Sequence, residues 1–359
     1  MKRKLKNILV TGGAGFIGSN FIHYLFNTKD FKGNVINVDK LTYAGNLDNL
    51  KEITEVYEGN RYFFEKSDIC DFEEIKKIFI NYHIDTVVHF AAESHVDRSI
   101  FGPKDFIHTN IIGTFNLLEV ARECWKGENK KECLFHHIST DEVYGSIENG
   151  DCFYEHTSYK PNSPYSASKA SSDHLVRAYH RTYGLPVTIS NCSNNYGPYQ
   201  FPEKLIPLMV LNILEQKSLP VYGDGKNVRD WLYVEDHCAA IWQILKNGKT
   251  GEAYNIGGEN EWENIKLVNV LCELLAEING YNKDYYKRLI TYVKDRPGHD
   301  RTYAINCDKL KGNFGWCCNY NFQEGLNQTI KWYMKNRDWV DRVRSGEYKK
   351  WIKKNYAKR

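Results

Sequence analysis

The sequence predicts an α/β fold in which a doubly wound parallel sheet is followed by a smaller mixed α/β region. Three observations carry that expectation. Short apolar runs alternate with amphipathic helical patterns from Asn7 to Ser190, the signature of parallel β-α-β units. The first run, Asn7-Ile8-Leu9-Val10, feeds a glycine-rich loop that opens into a helix pattern. From about Phe201 the alternation loosens, and short strands mix with helices. At 359 residues the chain has room for two domains, or for one large domain with a cap.

The glycine loop is Thr11-Gly12-Gly13-Ala14-Gly15-Phe16-Ile17-Gly18, and Phe21, Ile22, Leu25 and Phe26 continue at helical spacing. Between a strand and a helix, such a loop lets backbone approach a pyrophosphate, and the helix N-terminus favours its charge. The second strand, Val35 to Val38, ends in Asp39, about twenty residues after the loop. An acid there hydrogen-bonds the adenosine ribose and repels a 2′-phosphate, which selects NAD over NADP. These features make the first unit a Rossmann-type dinucleotide site. The run Tyr62 to Ile69 reads as a third strand that places Asp68 at the adenine edge. A helix from Phe72 to Tyr82 precedes the strand Thr86 to Phe90 and the turn Ala91-Ala92-Glu93-Ser94. Ligands of open α/β sheets lie beyond the carboxyl ends of the strands, so this turn flanks the cofactor. His95, Asp97 and Arg98 read as loop-stabilising groups rather than catalysts. A long helix from Asp105 to Trp125 and the strand Leu134 to Ile138 follow.

That strand delivers the most reactive stretch, Ser139-Thr140-Asp141-Glu142-Val143-Tyr144-Gly145, which Tyr165-Ser166-Ala167-Ser168-Lys169 completes. Tyr165 and Lys169 are four residues apart on one helix face. A cation beside the phenol lowers its pKa from the usual value near 10 and makes a base of it. Two neighbouring carboxylates resist double ionisation, so Asp141 and Glu142 supply an acid and a base side by side. His136 and His137, adjacent on a strand, point to opposite faces and cannot jointly ligate a metal; no metal is expected. The Tyr-Lys helix runs to about Tyr183, then come the strand Val187 to Ser190 and the polar turn Asn194-Asn195-Tyr196-Gly197-Pro198. Beyond it, helices are expected near Leu205–Glu215, Val234–Leu245 and Leu267–Asn279, with strands at Leu219–Tyr222 and Ala253–Ile256. The expected division is 1–200 for the NAD-binding domain, with return segments from about 229–250, 201–340 for substrate binding, and 341–359 for a basic tail.

The net charge of +3 is spread along the chain, apart from basic runs at the ends. Neither a nucleic-acid nor a membrane partner is expected. No apolar run reaches membrane-spanning length, and the basic start passes at once into a strand, unlike a secretory signal. Ten scattered cysteines form no C-x-x-C pair, which fits reduced thiols in a cytoplasm-like compartment. Internal repeats and low-complexity segments are absent.

With the glycine loop, Asp39 and the Tyr165-x-x-x-Lys169 pair, the chain resembles the extended short-chain dehydrogenases/reductases that act on nucleotide sugars. The resemblance spans Asn7 to about Tyr333. It is sharpest at Asp39–Asn46, Ala91–Ser99, Ser139–Gly145, Pro164–Leu175, Asn191–Pro207, Arg229–Asp236 and Asp295–Asp300. Sugar 4-epimerases and decarboxylases of the family share the glycine loop and the Tyr-Lys pair but typically lack an Asp-Glu pair. Asp141 and Glu142 therefore imply a 4,6-dehydratase, with dTDP-glucose as the implied substrate. A UDP-glucose dehydratase and a 4-epimerase are the alternatives, and a non-catalytic NAD-binding regulator is a distant one. In the implied mechanism Tyr165 removes the C4 hydroxyl proton and Thr140 hydrogen-bonds that oxygen. Glu142 then removes the C5 proton and Asp141 protonates the departing C6 hydroxyl, while the group that returns a proton to C5 stays open.

The resemblance also implies ligand contacts. For NAD they are Gly12, Gly15, Phe16, Ile17, Gly18, Asp39, Lys40, Thr42, Asp68, Ile69, Ala91, Ala92, Ser94, Thr109, Tyr165, Lys169 and Asn195. For the nucleotide sugar they are Ser94, Thr140, Asn194, Glu203, Lys204, Leu205, Pro220, Val221, Tyr222, Arg229, Asn264, Arg296 and His299. Arg229 and Arg296 suit a pyrophosphate, since guanidinium binds phosphate oxygens in bidentate fashion, and Tyr222 suits packing against a pyrimidine. Dimerisation through the helix from Asp105 and the Tyr-Lys helix is a further implication.

Overall fold

The computed structural model describes residues 3, 5–147 and 152–344. The basic tail expected over 341–359 lies outside the described residues from 345 onward.

Seven parallel strands form the main sheet: β1 Asn7–Thr11, β2 Asn34–Val38, β3 Tyr62–Glu65, β4 Thr86–His89, β5 Leu134–Thr140, β6 Val187–Cys192 and, later in the chain, Ala253–Ile256. Most of their residues are buried, as expected of strands covered by helices on both faces. Three further strands precede the last of these: β7 Asn194–Tyr196, β8 Leu219–Tyr222 and β9 Val228–Tyr233. The seventh sheet strand is thus β10, and β11 Glu261–Glu263 and β12 Ile290–Val293 follow it.

The order across the sheet is β10-β6-β5-β4-β1-β2-β3. It reverses between β1 and β4, and the crevice at such a switch point is where open α/β sheets bind ligands. The return to the sheet goes further than the sequence reading placed it. Ala253–Ile256 pairs in register with Ile189–Cys192 and closes the sheet edge. Its continuous burial, invisible to an alternation pattern, is what marks it as a sheet strand.

The helices are α1 Phe16–Asn27, α2 Lys51–Tyr57, α3 Phe72–Asn81, α4 Val96–Phe101, α5 Pro103–Phe106, α6 Thr114–Cys124, α7 Pro164–Tyr183, α8 Leu205–Leu214, α9 Val234–Asn247, α10 Asn264–Ile278, α11 Asp308–Phe314, α12 Phe322–Lys335 and α13 Arg337–Val343. The single helix expected from Asp105 to Trp125 is α5, a π-helical stretch over Ile107–Gly113, and α6. Gly113 explains its position in the stretch. A Cβ there would lie 2.4 Å from the Ile69 side chain. Helix α7 begins in a capping box, with Ser163 and Ser166 exchanging side-chain and backbone bonds, and ends on left-handed Gly184.

Beyond the main sheet, β11, β9 and β7 form a three-stranded sheet, and β12 pairs with β8. Helices α8, α10 and α12 cover them with a separate apolar core that includes Ile206, Leu271 and Ile330. This second layer stands over the carboxyl ends of β5 and β6.

Candidate active site

The glycine loop follows β1. Gly12 has a φ of +70°, and a Cβ on it would lie 2.7 Å from the Ala91 backbone. A Cβ on Gly18 would meet the Gly12 carbonyl at 2.3 Å, so only glycine allows α1 to approach the loop this closely. The N-cap of α1 is Gly15, which has no side chain to bond the first-turn N–H groups. Those groups are left for a pyrophosphate. Asp39 stands at the end of β2 and accepts from the Ala14 N–H at 3.0 Å and the Leu41 N–H at 2.8 Å. Asn49, which sequence reading missed, donates to the Ala14 carbonyl at 2.9 Å and accepts from Trp339 Nε1 at 2.8 Å. Side chain and helix α13 thereby brace the loop. Lys40 and Asp68 pair at 2.5 Å across the adenine edge.

One cleft takes in every residue expected to touch NAD, from Gly12 to Asn195. It also takes in Ser94, Thr140, Asn194, Glu203 and Lys204 of the substrate set. The glycine cradle, the uncapped α1 terminus and a fixed Asp39 carboxylate fit a dinucleotide.

The π-helical stretch positions this wall. Asn110 clamps the turn after β4, accepting from the Glu93 N–H at 2.8 Å and donating to the Glu93 carbonyl at 3.0 Å. Its amide also donates to Ser168 on α7 at 2.8 Å. The carbonyl freed by the wider turn is taken up by the Thr114 and Ser172 hydroxyls, at 2.5 and 2.6 Å. π-Bulges recur at functional sites for such reasons.

At the floor, Thr140 Oγ1 lies 3.2 Å from Asp141 Oδ1 and accepts from the Glu142 N–H at 3.3 Å. Asp141 is 2% exposed, and its Oδ2 has no hydrogen-bond partner among the described residues. Burial raises the Asp141 carboxyl well above the ordinary carboxylate range, and the neighbouring Glu142 charge pushes it the same way. Burial also raises Glu142, while Arg296, Arg229 and Lys204 pull it back down. The pair therefore combines a carboxyl held protonated with one kept closer to ionised.

Tyr165 departs from the sequence expectation. Its pKa is raised, not lowered: burial comes first, then the charges of Glu142 and the thiol of Cys192, with the Thr140 hydroxyl opposing. Lys169 is not among these influences: its Nζ donates to the Ile138 carbonyl at 2.7 Å. Burial brings Lys169 itself down to about 8.

Behind Lys169 lies Asp173, one turn further along α7 and fully buried. It accepts from Ser139 Oγ and from the Tyr159 hydroxyl, each at 2.8 Å, and His137 Nε2 lies 3.2 Å away. Burial would raise Asp173, but His137, Lys169 and Ser139 outweigh it and hold the carboxyl low. Spacing was the available signal, because Tyr165, Lys169 and Asp173 recur at intervals of four. His136 faces the other way, to Thr188 Oγ1 at 2.9 Å. Among the described residues no cluster of His, Cys, Asp and Glu is placed to hold a metal.

The remaining substrate candidates gather above the floor on the second layer. Tyr222 closes β8, Pro220 and Val221 precede it, and its ring meets that of His299 edge-on at 6.1 Å. Arg229 on β9 stacks over Tyr303 at 4.3 Å and donates to the Asp300 carbonyl at 2.9 Å. His299 Nδ1 contacts Asp295 at 2.6 Å. Asn264 opens α10, and both Asn264 and Asn194 keep a buried amide oxygen without a partner among the described residues. Lys204 donates to the Ser94 carbonyl at 3.2 Å, and Leu205 begins α8. Leu205, Pro220, Val221, Tyr222, Arg229, Asn264, Arg296 and His299 stand outside the cofactor cleft.

Comparison with known proteins accords with this arrangement. The family model described as GDP-mannose 4,6 dehydratase matches residues 9–329. A dTDP-glucose 4,6-dehydratase of Escherichia coli is 56% identical, over 98% of this chain and 99% of its own. The crystal structure of dTDP-glucose 4,6-dehydratase from Bacillus anthracis in complex with NAD superposes with a TM-score of 0.83 at 47% identity, covering 94% of this chain and 99% of that one. The corresponding enzyme of Streptomyces venezuelae, also solved with NAD bound, gives 0.84 at 44% identity over the same shares. Similarity at this level, end to end and around an intact Thr-Asp-Glu and Tyr-Lys set, places the chain in the dTDP-glucose 4,6-dehydratase family of extended short-chain dehydrogenases/reductases.

Proposed function

We propose that Thr140, Asp141, Glu142 and Tyr165 divide between them the NAD-dependent dehydration of dTDP-glucose to dTDP-4-keto-6-deoxyglucose. The chain is a hydro-lyase of that specificity, and NAD is its cofactor. The observation that carries the division of roles is the pairing of buried Asp141 with half-buried Glu142 beside Tyr165 in the cofactor cleft.

The glycine loop and the α1 N-terminus hold the pyrophosphate of NAD, and Asp39 holds its ribose. Held there, NAD would supply the hydride acceptor for oxidation at C4 and the donor for reduction at C6. Tyr165 takes the C4 hydroxyl proton, and the Thr140 hydroxyl stabilises that oxygen as charge develops. The phenol is unreactive while buried beside two carboxylates. A cation facing the phenol would bring its pKa down and make it a better base. The C4 ketone acidifies C5–H, and Glu142 removes that proton. Asp141, held protonated, gives its proton to the C6 hydroxyl, which leaves as water, and a solvent-exchangeable proton returned to C5 as hydride reaches C6 completes the product.

We further propose that Arg229 and Arg296 bind the diphosphate and that Tyr222 packs on the base. A homodimer through the π-helical stretch, α6 and α7 is supported by the exposed apolar residues Ile107, Ile112 and Phe115. A cytoplasmic location is supported by ten thiols, none of them in a disulfide among the described residues. The division into a cofactor domain and a substrate layer is supported by the separate apolar core of the latter.

A product assay tests the activity. Incubation with dTDP-glucose should yield a 4-keto-6-deoxy sugar, seen by its alkali-induced ultraviolet absorbance, with solvent deuterium at C5. UDP-glucose and GDP-mannose should turn over far more slowly. Recovery of dTDP-galactose alone would overturn the reading.

A further inference from the structure

Asp97, which the sequence assigned to loop support, reaches from the cofactor layer to the substrate layer. It lies on α4, just after the turn that follows β4, and is 2% exposed. One carboxylate oxygen meets Arg296 Nη1 at 3.2 Å, and the other accepts from the Tyr222 hydroxyl at 3.0 Å. Tyr222 ends β8, whereas Arg296 lies beyond the end of β12. A single buried carboxylate thus joins three separate elements. Arg296 spends only one edge of its guanidinium on this contact. Its Nε is buried and has no hydrogen-bond partner among the described residues. A buried donor without a partner is costly unless a ligand completes it.

We propose that Asp97 is a positioning residue for the nucleotide half of the substrate: it presets Arg296 for a nucleoside diphosphate and Tyr222 for the base. This rests on the dTDP-glucose reading given above. An unheld arginine must surrender rotamer freedom when it binds, and a guanidinium fixed beforehand does not. Asp97 touches no substrate in this arrangement and acts through the two side chains that do. Its own charge would repel a diphosphate if it stood alone, but close pairing with Arg296 cancels that field. Order and repulsion therefore predict opposite outcomes when Asp97 is removed.

The test is calorimetric titration of dTDP into NAD-loaded protein for the wild type, Asp97→Asn, Arg296→Ala and the double variant. Asp97→Asn should weaken dTDP binding by about tenfold, equivalent to about 1.4 kcal/mol. KM for dTDP-glucose should rise in parallel, with kcat within about twofold and NAD content unchanged. In the Arg296→Ala background the same change should cost less than about threefold, because residues acting through one another are non-additive. Should Asp97→Asn not fold, Asp97→Glu keeps the charge and displaces Arg296, and a loss of about threefold in dTDP affinity is expected. Tighter or unchanged dTDP binding, equal losses in both backgrounds, or loss of NAD would overturn the proposal. Unchanged dTDP affinity in Arg296→Ala would overturn it together with the diphosphate role of Arg296. Persisting turnover of dTDP-glucose in that variant would leave the assigned activity standing.

Discussion

The Tyr43 hydroxyl donates to the Glu203 carboxylate at 2.9 Å, and this bond ties the loop after β2 to the approach to α8. Phe201 packs edge-on against the same ring at 5.3 Å, and the Arg98 guanidinium lies 3.5 Å over its face. Tyr43 and Glu203 both line the cofactor cleft, so the bond works as a strap across it. Tyr43→Phe leaves a buried acceptor without its donor, at a cost of about 1–3 kcal/mol. NAD should dissociate roughly 5–100-fold faster, measured as cofactor lost on gel filtration. Full NAD retention would show that the strap plays no part in holding it.

Tyr165→Phe removes the phenol beside Thr140 and should lower turnover by about 10²–10⁴-fold with NAD still bound. Asp141→Asn keeps the shape but has no proton to give to the leaving hydroxyl. Oxidation at C4 should proceed and elimination stall, so that reduced-nicotinamide absorbance builds up after mixing with substrate. Normal turnover of both variants would mean the roles are misassigned.

Lys169 links stability to pH. Burial lowers it from 10.5 to about 8, so the folded chain binds fewer protons than the unfolded chain between those values. Stability contributed by this site therefore rises as pH climbs from about 8 towards 10.5, and the full penalty is present below 8. Lys169→Met removes a penalty of about 3 kcal/mol at neutral pH, offset in part by the donor lost to the Ile138 carbonyl, so stability should rise there and the gain fade in strong alkali, while catalysis collapses. Denaturant melts at several pH values check the sign, and a destabilised Lys169→Met at pH 7 would contradict it.

Gly12→Ala places a Cβ 2.7 Å from the Ala91 backbone at a φ of +70°. The strain, about 1–3 kcal/mol, should appear both as a lower Tm and as protein purified without NAD. Gly59→Ala, where φ is +73° but no atom lies within 4 Å, should lower stability without stripping the cofactor.

The cofactor half was legible because its signals are local. A strand, a glycine loop, a helix and an acid occupy one stretch of chain, and a parallel strand buried on both faces reads as an unbroken apolar run. What escaped depends on partners distant in sequence. Asn49 gains its role from Ala14 and Trp339, and Asn110 gains its role from Glu93 and Ser168. Ala253–Ile256 is too short to announce which sheet it joins. The Tyr165 phenol was misjudged in direction because spacing on a helix places two residues on one face without fixing where a flexible lysine sends its charge. Lys169 turned to a carbonyl of β5. Arg229, Arg296, Tyr222 and His299 were recognisable by resemblance, whereas Asp97, which joins two of them, carried no separate mark.

The π-helical stretch over Ile107–Gly113 has a consequence for how this gene can change length. A π turn holds one residue more than an α turn, so deleting any one of the seven would yield a regular helix. The flanking α segments would keep their faces, because the wide turn has absorbed the extra residue, and only the wide turn itself would be lost. Leu117, Leu118 and Val120 would keep their places in the core, while Asn110 would lose the wide turn from which it reaches Glu93 and Ser168. A single-codon deletion that improves the helix locally would thus cost the wall of the cleft its Asn110 clamp. The length of this segment is therefore constrained separately from its composition, which is itself fixed at Asn110 and Gly113.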